Sequence, residues 1–310
     1  MSTATFVSKR GQYDNATSQQ WVGGLLNALI AIGMVQTGDA MANLVTPSNV
    51  DSTVTLAGMQ STGYDAVFRF DDALQSTAPL FLHFHFAAAS TNYGGGTNDP
   101  AMSITIGKGS DGAGNVTDVL YTAGNIRSSQ VNNNFTSFLS SGDGSMLCMA
   151  LFQHSGNEGE ANGNWLFFLD RSRDSSNGSA TGTGIYINHR GSGQSDNGQS
   201  QVSYGIAYTS GATVGVGVGI TPILYILNTS TISLNRAGVV PVFKGQIVDG
   251  DGNIWTAACH VVYAYADMGF CQINQVDGGN TFLALGAANN ANGYADLSHQ
   301  AYASYAMAYY

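Results

Sequence analysis

Apolar positions along the chain fall into two textures, one helical and one extended. From Trp21 to Ile32 they recur every three or four residues (Trp21, Leu25, Leu26, Leu29, Ile32), which places them on one stripe of a helix. Thr17, followed three residues later by Gln20, matches a capping box, and Gly33 supplies a stop; an amphipathic helix is expected over about residues 18–33. Beyond it the apolar runs are short and separated by clusters of Gly, Asn, Asp and Ser, as a mainly β chain requires. Strands are expected at Thr53 to Leu56, Asp65 to Phe70, Leu80 to Phe86, Met102 to Lys108, Val116 to Thr122, Met146 to His154 and Asn164 to Asp170. Further ones follow at Gly184 to His189, Val202 to Thr209, Ile223 to Ile226, Val240 to Val248, Trp255 to Tyr265 and Thr281 to Leu285.

Turn signals organise these runs. Asp249-Gly-Asp-Gly-Asn253 between two apolar runs reads as a hairpin, while Ala87 to Pro100, Asp174 to Gly184 and Gly191 to Gln201 read as loops. The polar stretch Ser128 to Ser145 suggests a division near Ser141. At 310 residues the chain can form two β-sandwich, jelly-roll-like domains, 1–140 with the N-terminal helix and 141–310.

Two apolar features are candidate interfaces. The stripe of Trp21, Leu25 and Leu29 either packs on the chain's own sheet or docks a neighbouring subunit. The aromatic end carries Tyr302, Tyr305, Tyr309 and Tyr310, spaced by Ala, Ser and Met, and such a patch has to be covered by its own fold or by another chain. The glycines of Gly215-Val-Gly-Val-Gly219 would also let another backbone approach closely.

Composition narrows the function classes. Charged residues make up 10 % of the chain, against about a quarter in ordinary globular domains, so the surface is neutral and readily buried against other subunits. The net charge of -10 leaves no basic field for a phosphate backbone, so direct nucleic-acid binding is not expected. Trp21 to Val35 is too short for a membrane span and is interrupted by Asn27 and glycines, so no membrane insertion is expected. Lys9 and Arg10 precede a polar stretch, unlike a secretory leader, and the start reads as that of a mature chain. The three cysteines, Cys148, Cys259 and Cys271, form no CxxC spacing and fit synthesis in a reducing cytoplasm.

Candidate chemistry is sparse. His83 and His85 flank Phe84 on an expected strand and share one face, but no third metal ligand can be named from the sequence, so they read as strand histidines on a half-exposed face. The 249–253 segment begins like a calcium loop, yet Ile254 and His260 stand where Gly and Glu are needed. The carboxylate pairs Asp71 with Asp72, Glu158 with Glu160, and Asp170 with Asp174 lack the setting a glycosidase requires. Ile106-Gly-Lys-Gly109 leads into an Asp111-Gly-Ala-Gly114 turn and is no phosphate loop. No catalytic or cofactor residue is assigned; an enzyme is not expected.

Two segments carry a resemblance. They are Trp21-Val-Gly-Gly-Leu-Leu-Asn-Ala-Leu-Ile-Ala-Ile-Gly-Met-Val-Gln-Thr-Gly-Asp39, and the stretch from Tyr64 through Phe68-Arg-Phe-Asp-Asp72 and Pro79-Leu-Phe-Leu82 to Ile104-Thr-Ile-Gly-Lys-Gly-Ser-Asp-Gly-Ala-Gly-Asn115. Over about residues 18–120 this order resembles a family of tailed-bacteriophage virion proteins encoded among tail and baseplate genes; the C-terminal half is similar through strand spacing and Thr281-Phe-Leu-Ala-Leu-Gly286. The resemblance implies a structural protein made in the host bacterial cytoplasm and built in many copies into the virion tail, baseplate or neck, with copies of itself and other virion proteins as partners. The alternative it implies is a receptor-binding or tail-fibre module whose loops, with Tyr93 at one tip, contact a host surface glycan or receptor.

Overall fold

The computed structural model describes residues 2–9, 14–88, 100–127, 135–142, 144–154, 161–174, 176–190 and 201–207, together with short strands between 221 and 308. The protein is mostly antiparallel sheet with a few helices.

After β1 (Ser2–Lys9), α1 spans Asn15–Ala31. Its N-cap is Asp14, three residues before the expected Thr17: the Asp14 backbone is extended, and its Oδ1 accepts the Thr17 N–H at 2.7 Å. Thr17 is instead inside the helix. At the other end Gly33 takes φ +92°, a conformation that costs glycine little, and its N–H reaches the Ile30 carbonyl at 2.9 Å. Trp21, Leu25, Leu26, Leu29 and Ile32 are all buried in one core.

The expected strand at Thr53 to Leu56 is not one. After β2 (Val35–Gln36), α2 covers Val50–Thr53 and α3 covers Leu56–Ser61. Thr55 caps α3 by accepting the Gly58 N–H at 3.0 Å, and the Gln19 amide bonds the Asp51 and Val54 carbonyls. Four alternating residues cannot outweigh a cap and tertiary hydrogen bonds of this kind.

β2 then heads a five-stranded sheet in sequential order with β3 (Tyr64–Arg69), β4 (Phe81–Ala88), β5 (Pro100–Ser110) and β6 (Val116–Arg127). Ala66, Phe68, Leu82, Phe84, Phe86, Met102, Ile104 and Ile106 face the helix stripe. Phe68 meets Phe84 edge-on at 5.8 Å, and each buried aromatic of this kind contributes about 1.5–3 kcal/mol. Strand alternation turns Asp65, Val67, His83, His85, Ser103 and Thr105 to the other face.

A second sheet contains β7 (Phe135–Gly142), β8 (Leu147–His154), β9 (Ala161–Arg173), β10 (Ala180–Arg190) and β11 (Gln201–Ala207), with β1 paired beside β7. Ser141, the expected point of division, lies in β7 opposite Thr3. Leu147, Met149, Phe167, Leu169 and Tyr186 from this sheet enter the same core as α1 and the first sheet, and Tyr186 stacks on Tyr121 at 4.3 Å.

Toward the C-terminus come β12 (Thr221–Pro222), β13 (Val242–Lys244), β14 (Gln246–Val248), β15 (Ile254–Thr256), β16 (Val261–Ala264), β17 (Ile273–Gln275), β18 (Thr281–Gly286) and β19 (Ser304–Ala308). They form sheets of order β12-β14-β15 and β13-β16-β19-β18-β17. The apolar run Val240 to Val248 is therefore two strands in two sheets, since hydrophobicity alone does not mark where a chain changes partner. β14 and β15 pair antiparallel, as the expected hairpin requires; its turn residues 249–253 and the expected strand Ile223 to Ile226 lie outside the described residues.

Candidate functional site

On the outward face of the first sheet, the register brings Asp65 directly opposite His85, while His83 lies opposite Val67, two positions along the same face. Nε2 of His83 and Nδ1 of His85 each lie 2.7 Å from the same oxygen, Asp65 Oδ1. The Asp65, His83 and His85 side chains are 18 %, 22 % and 37 % exposed, so the cluster is sheltered yet open to solvent on one side.

The backbone fixes both members of the opposed pair. Asp65 donates its N–H to the Asn43 carbonyl and accepts from the Val45 N–H, both at 3.0 Å, so it is held between β4 and the 43–45 segment. Gly63, at φ +72°, lies so close to His85 that a Cβ there would stand 2.6 Å from the ring's Cε1. Glycine at this position therefore lets the chain turn and lets the imidazole seat against it.

Burial alone would raise the Asp65 carboxyl, but hydrogen bonds from His83 and His85 and the charge of the imidazoles outweigh it and hold the group at about 2, below its ordinary 3.8. The His85 imidazole is raised above its ordinary 6.5, first by its hydrogen bond to Asp65; burial opposes this and the carboxylate charge adds to it. A raised His85 stabilises the fold fully below 6.5 and loses that contribution as pH rises through its folded value. A depressed Asp65 stabilises above 3.8 and loses that as pH falls toward about 2. In urea melts with a chelator present, the protein is expected to lose stability as pH rises above about 6.5, and His85→Gln to show a smaller loss. Equal losses in the two proteins would refute the assignment.

No protein-family model and no curated protein matches the chain.

The other sequence candidates are distributed differently. Trp21, Leu25 and Leu29 are at most 1 % exposed and enter the chain's own core, so the helix stripe is no docking surface; its apolar area is already used. Tyr305 lies in β19, opposite Tyr263 and Gly286. Tyr93, Tyr302, Tyr309 and Tyr310 lie outside the described residues, as do Glu158, Glu160, the 215–219 run and His260. Asp71 and Asp72 do diverge: Asp71 pairs with Arg69 at 3.5 Å and Asp72 with the buried Arg171 at 2.9 Å. Asp170 accepts the Arg171 N–H, and Asp174 closes a turn onto Ser176. In the glycine turn, Asp111 Oδ1 accepts from the Ala113 and Asn115 N–H groups, so these donors are satisfied within the loop.

Sequence reasoning found two members of the cluster and missed the third. Among the described residues, Asp65, His83 and His85 are the group of His, Cys, Asp or Glu whose donor atoms come close enough to share an ion, within 4.8 Å of one another. The signal for Asp65 is its place on the polar face of an alternating strand; the pairing register converts that into proximity. Two imidazoles and a carboxylate can act as a hydrogen-bonded ladder across two strands or as ligands of one cation.

Proposed function

We propose that this chain is a repeated structural subunit of a tailed-bacteriophage virion, in the tail, baseplate or neck, assembled as a symmetric homo-oligomer in contact with other virion proteins. The observation that carries this reading is a sheet edge. Among the described residues no strand follows β11 in its sheet, and its seven residues, Gln201–Ala207, contain neither a charge nor a proline. Natural edges are usually blunted by such residues, and an edge without them is a template for a strand of another chain. A chain only 10 % charged also loses little solvation when its surface is buried between subunits. The resemblance over about residues 18–120 supports the same class of protein. In this reading the β-rich chain is organised as two jelly-roll-like sandwiches and acts by assembly, without catalysis. No described helix is long and apolar enough to cross a membrane.

Light scattering on the purified full-length protein is the direct test, paired with mass spectrometry of purified virions. A closed oligomer of defined mass is expected, and Ser203→Lys with Gly205→Lys in β11 should dissociate it while leaving circular dichroism unchanged. A monomeric wild-type protein, or virions lacking the chain, would refute the proposal.

A further inference from the structure

We propose that Asp65, His83 and His85 form a three-ligand site for a divalent transition cation of the zinc type, with its remaining coordination positions open to solvent. The site is distinct from the assembly role proposed above and does not depend on it.

The donor set selects the class of ion. Calcium and magnesium take oxygen ligands, whereas two imidazole nitrogens and one carboxylate oxygen suit zinc and its neighbours among the first-row divalent metals. The ligand atoms are His83 Nε2, His85 Nδ1 and an Asp65 carboxylate oxygen, all within 4.8 Å of one another. Three protein ligands with an open position is the pattern of sites that also bind water or an exogenous donor; closed structural sites use four. The partial exposure of all three side chains leaves room for that further ligand.

The geometry needs little rearrangement. Metal–ligand distances of about 2.0–2.1 Å at tetrahedral angles set neighbouring ligand atoms about 3.3 Å apart. The two nitrogens now stand 2.7 Å from Asp65 Oδ1, held by the shared hydrogen bonds. An opening of about 0.6 Å at each contact, with the two nitrogens, which lie within 4.8 Å of each other, brought to a similar separation, is within reach of side-chain torsions and replaces two hydrogen bonds by three metal bonds. The proton balance is simple: a neutral imidazole presents its lone pair by moving its proton to the other ring nitrogen, and a protonated one releases a proton to solvent.

The scaffold is also suited to hold a metal. All three ligands sit on two paired strands, Asp65 is tied by its backbone on both sides, and His85 is seated against Gly63. Ser103 and Thr105 of β5 stand on the same face, directly opposite His85 and His83.

The test uses full-length protein without a histidine tag, stripped of metal and titrated with Co²⁺ and then Zn²⁺. The expected result is saturation at one Co²⁺ per chain with a visible ligand-field spectrum that Zn²⁺ abolishes. His83→Ala, His85→Ala and Asp65→Asn should each weaken binding by about tenfold or more, at least the loss typical of second-shell changes, with melting curves confirming that the variants fold. Should a variant not fold, imidazole nitrogen spectra of the wild type decide the matter. Zn²⁺ should shift His83 Nε2 and His85 Nδ1. Unsaturable binding, unchanged affinity in the folded His83→Ala/His85→Ala protein, or shifts confined to His154, His189, His260 and His299 would overturn the proposal.

Discussion

Truncation after Ala303 is expected to unfold the C-terminal five-stranded sheet. The removed residues include β19, the middle strand of that sheet, which pairs from Val261↔Met307 to Ala264↔Ser304 on one side and from Phe282↔Ala308 to Gly286↔Tyr305 on the other. Without it, β13-β16 and β18-β17 become separate two-stranded ribbons, and ribbons of that size are marginal in water. The truncated protein should be insoluble, or, if soluble, limited proteolysis should cut it back from the C-terminus while the core around α1 survives. Full-length protease resistance and an unchanged melting curve would refute this. The aromatic end thus has a structural duty separate from any part in assembly. Tyr309→Ser with Tyr310→Ser keeps β19 and so isolates an assembly contribution from that duty.

The parts of the fold legible in the sequence are those where one periodicity and one environment coincide. The α1 stripe was legible because every core-facing residue from Trp21 to Ile32 is apolar at helical spacing, and β4 because Leu82, Phe84 and Phe86 alternate with His83 and His85. Thr17 and Gln20 satisfy a capping pattern that places the helix start late, whereas the cap is Asp14, whose extended backbone and side-chain bond to the Thr17 N–H the pattern does not reveal. β1 and β7 were missed for a different reason. Their sequences, Ser-Thr-Ala-Thr-Phe-Val-Ser-Lys and Phe-Thr-Ser-Phe-Leu-Ser-Ser-Gly, are mostly small and polar; β1 is a strand by pairing with the distant β7, and β7 by pairing with β1 on one side and β8 on the other. Asp65 was hidden for a related reason. The 70–80 connection is not a two-residue turn, so its length does not dictate which residue of β3 meets His85.

That connection carries the second large effect, because it is fastened to the other sheet by a buried charge. Arg171, near the end of β9, is fully buried; its Nε and Nη2 donate to the two carboxylate oxygens of Asp72 at 2.9 and 3.1 Å. Its Nη1 donates to the Ala78 carbonyl at 2.5 Å, and its guanidinium lies 5.5 Å from the centre of the Phe70 ring. Beside it, the Asp71 N–H bonds the Gly144 carbonyl at 2.7 Å. Asp72→Ala leaves the guanidinium buried without its anion, a change that costs about 3–5 kcal/mol. At about 2–4 °C per kcal/mol for a chain portion of this size, the melting temperature should fall by about 6–20 °C. Adding Arg171→Met removes the stranded charge and keeps an unbranched side chain in its place, so the double variant should be more stable than Asp72→Ala alone. A single variant within about 1 kcal/mol of wild type, or a double variant no better than the single, would show that the pair is not the strut. Because β4 begins at Phe81, directly after this connection, loosening it should also disturb the seating of His83 and His85 beside Asp65. Asp72→Ala is therefore expected to weaken Co²⁺ binding although Asp72 touches none of the three ligands, and Asp72→Ala/Arg171→Met to recover part of it.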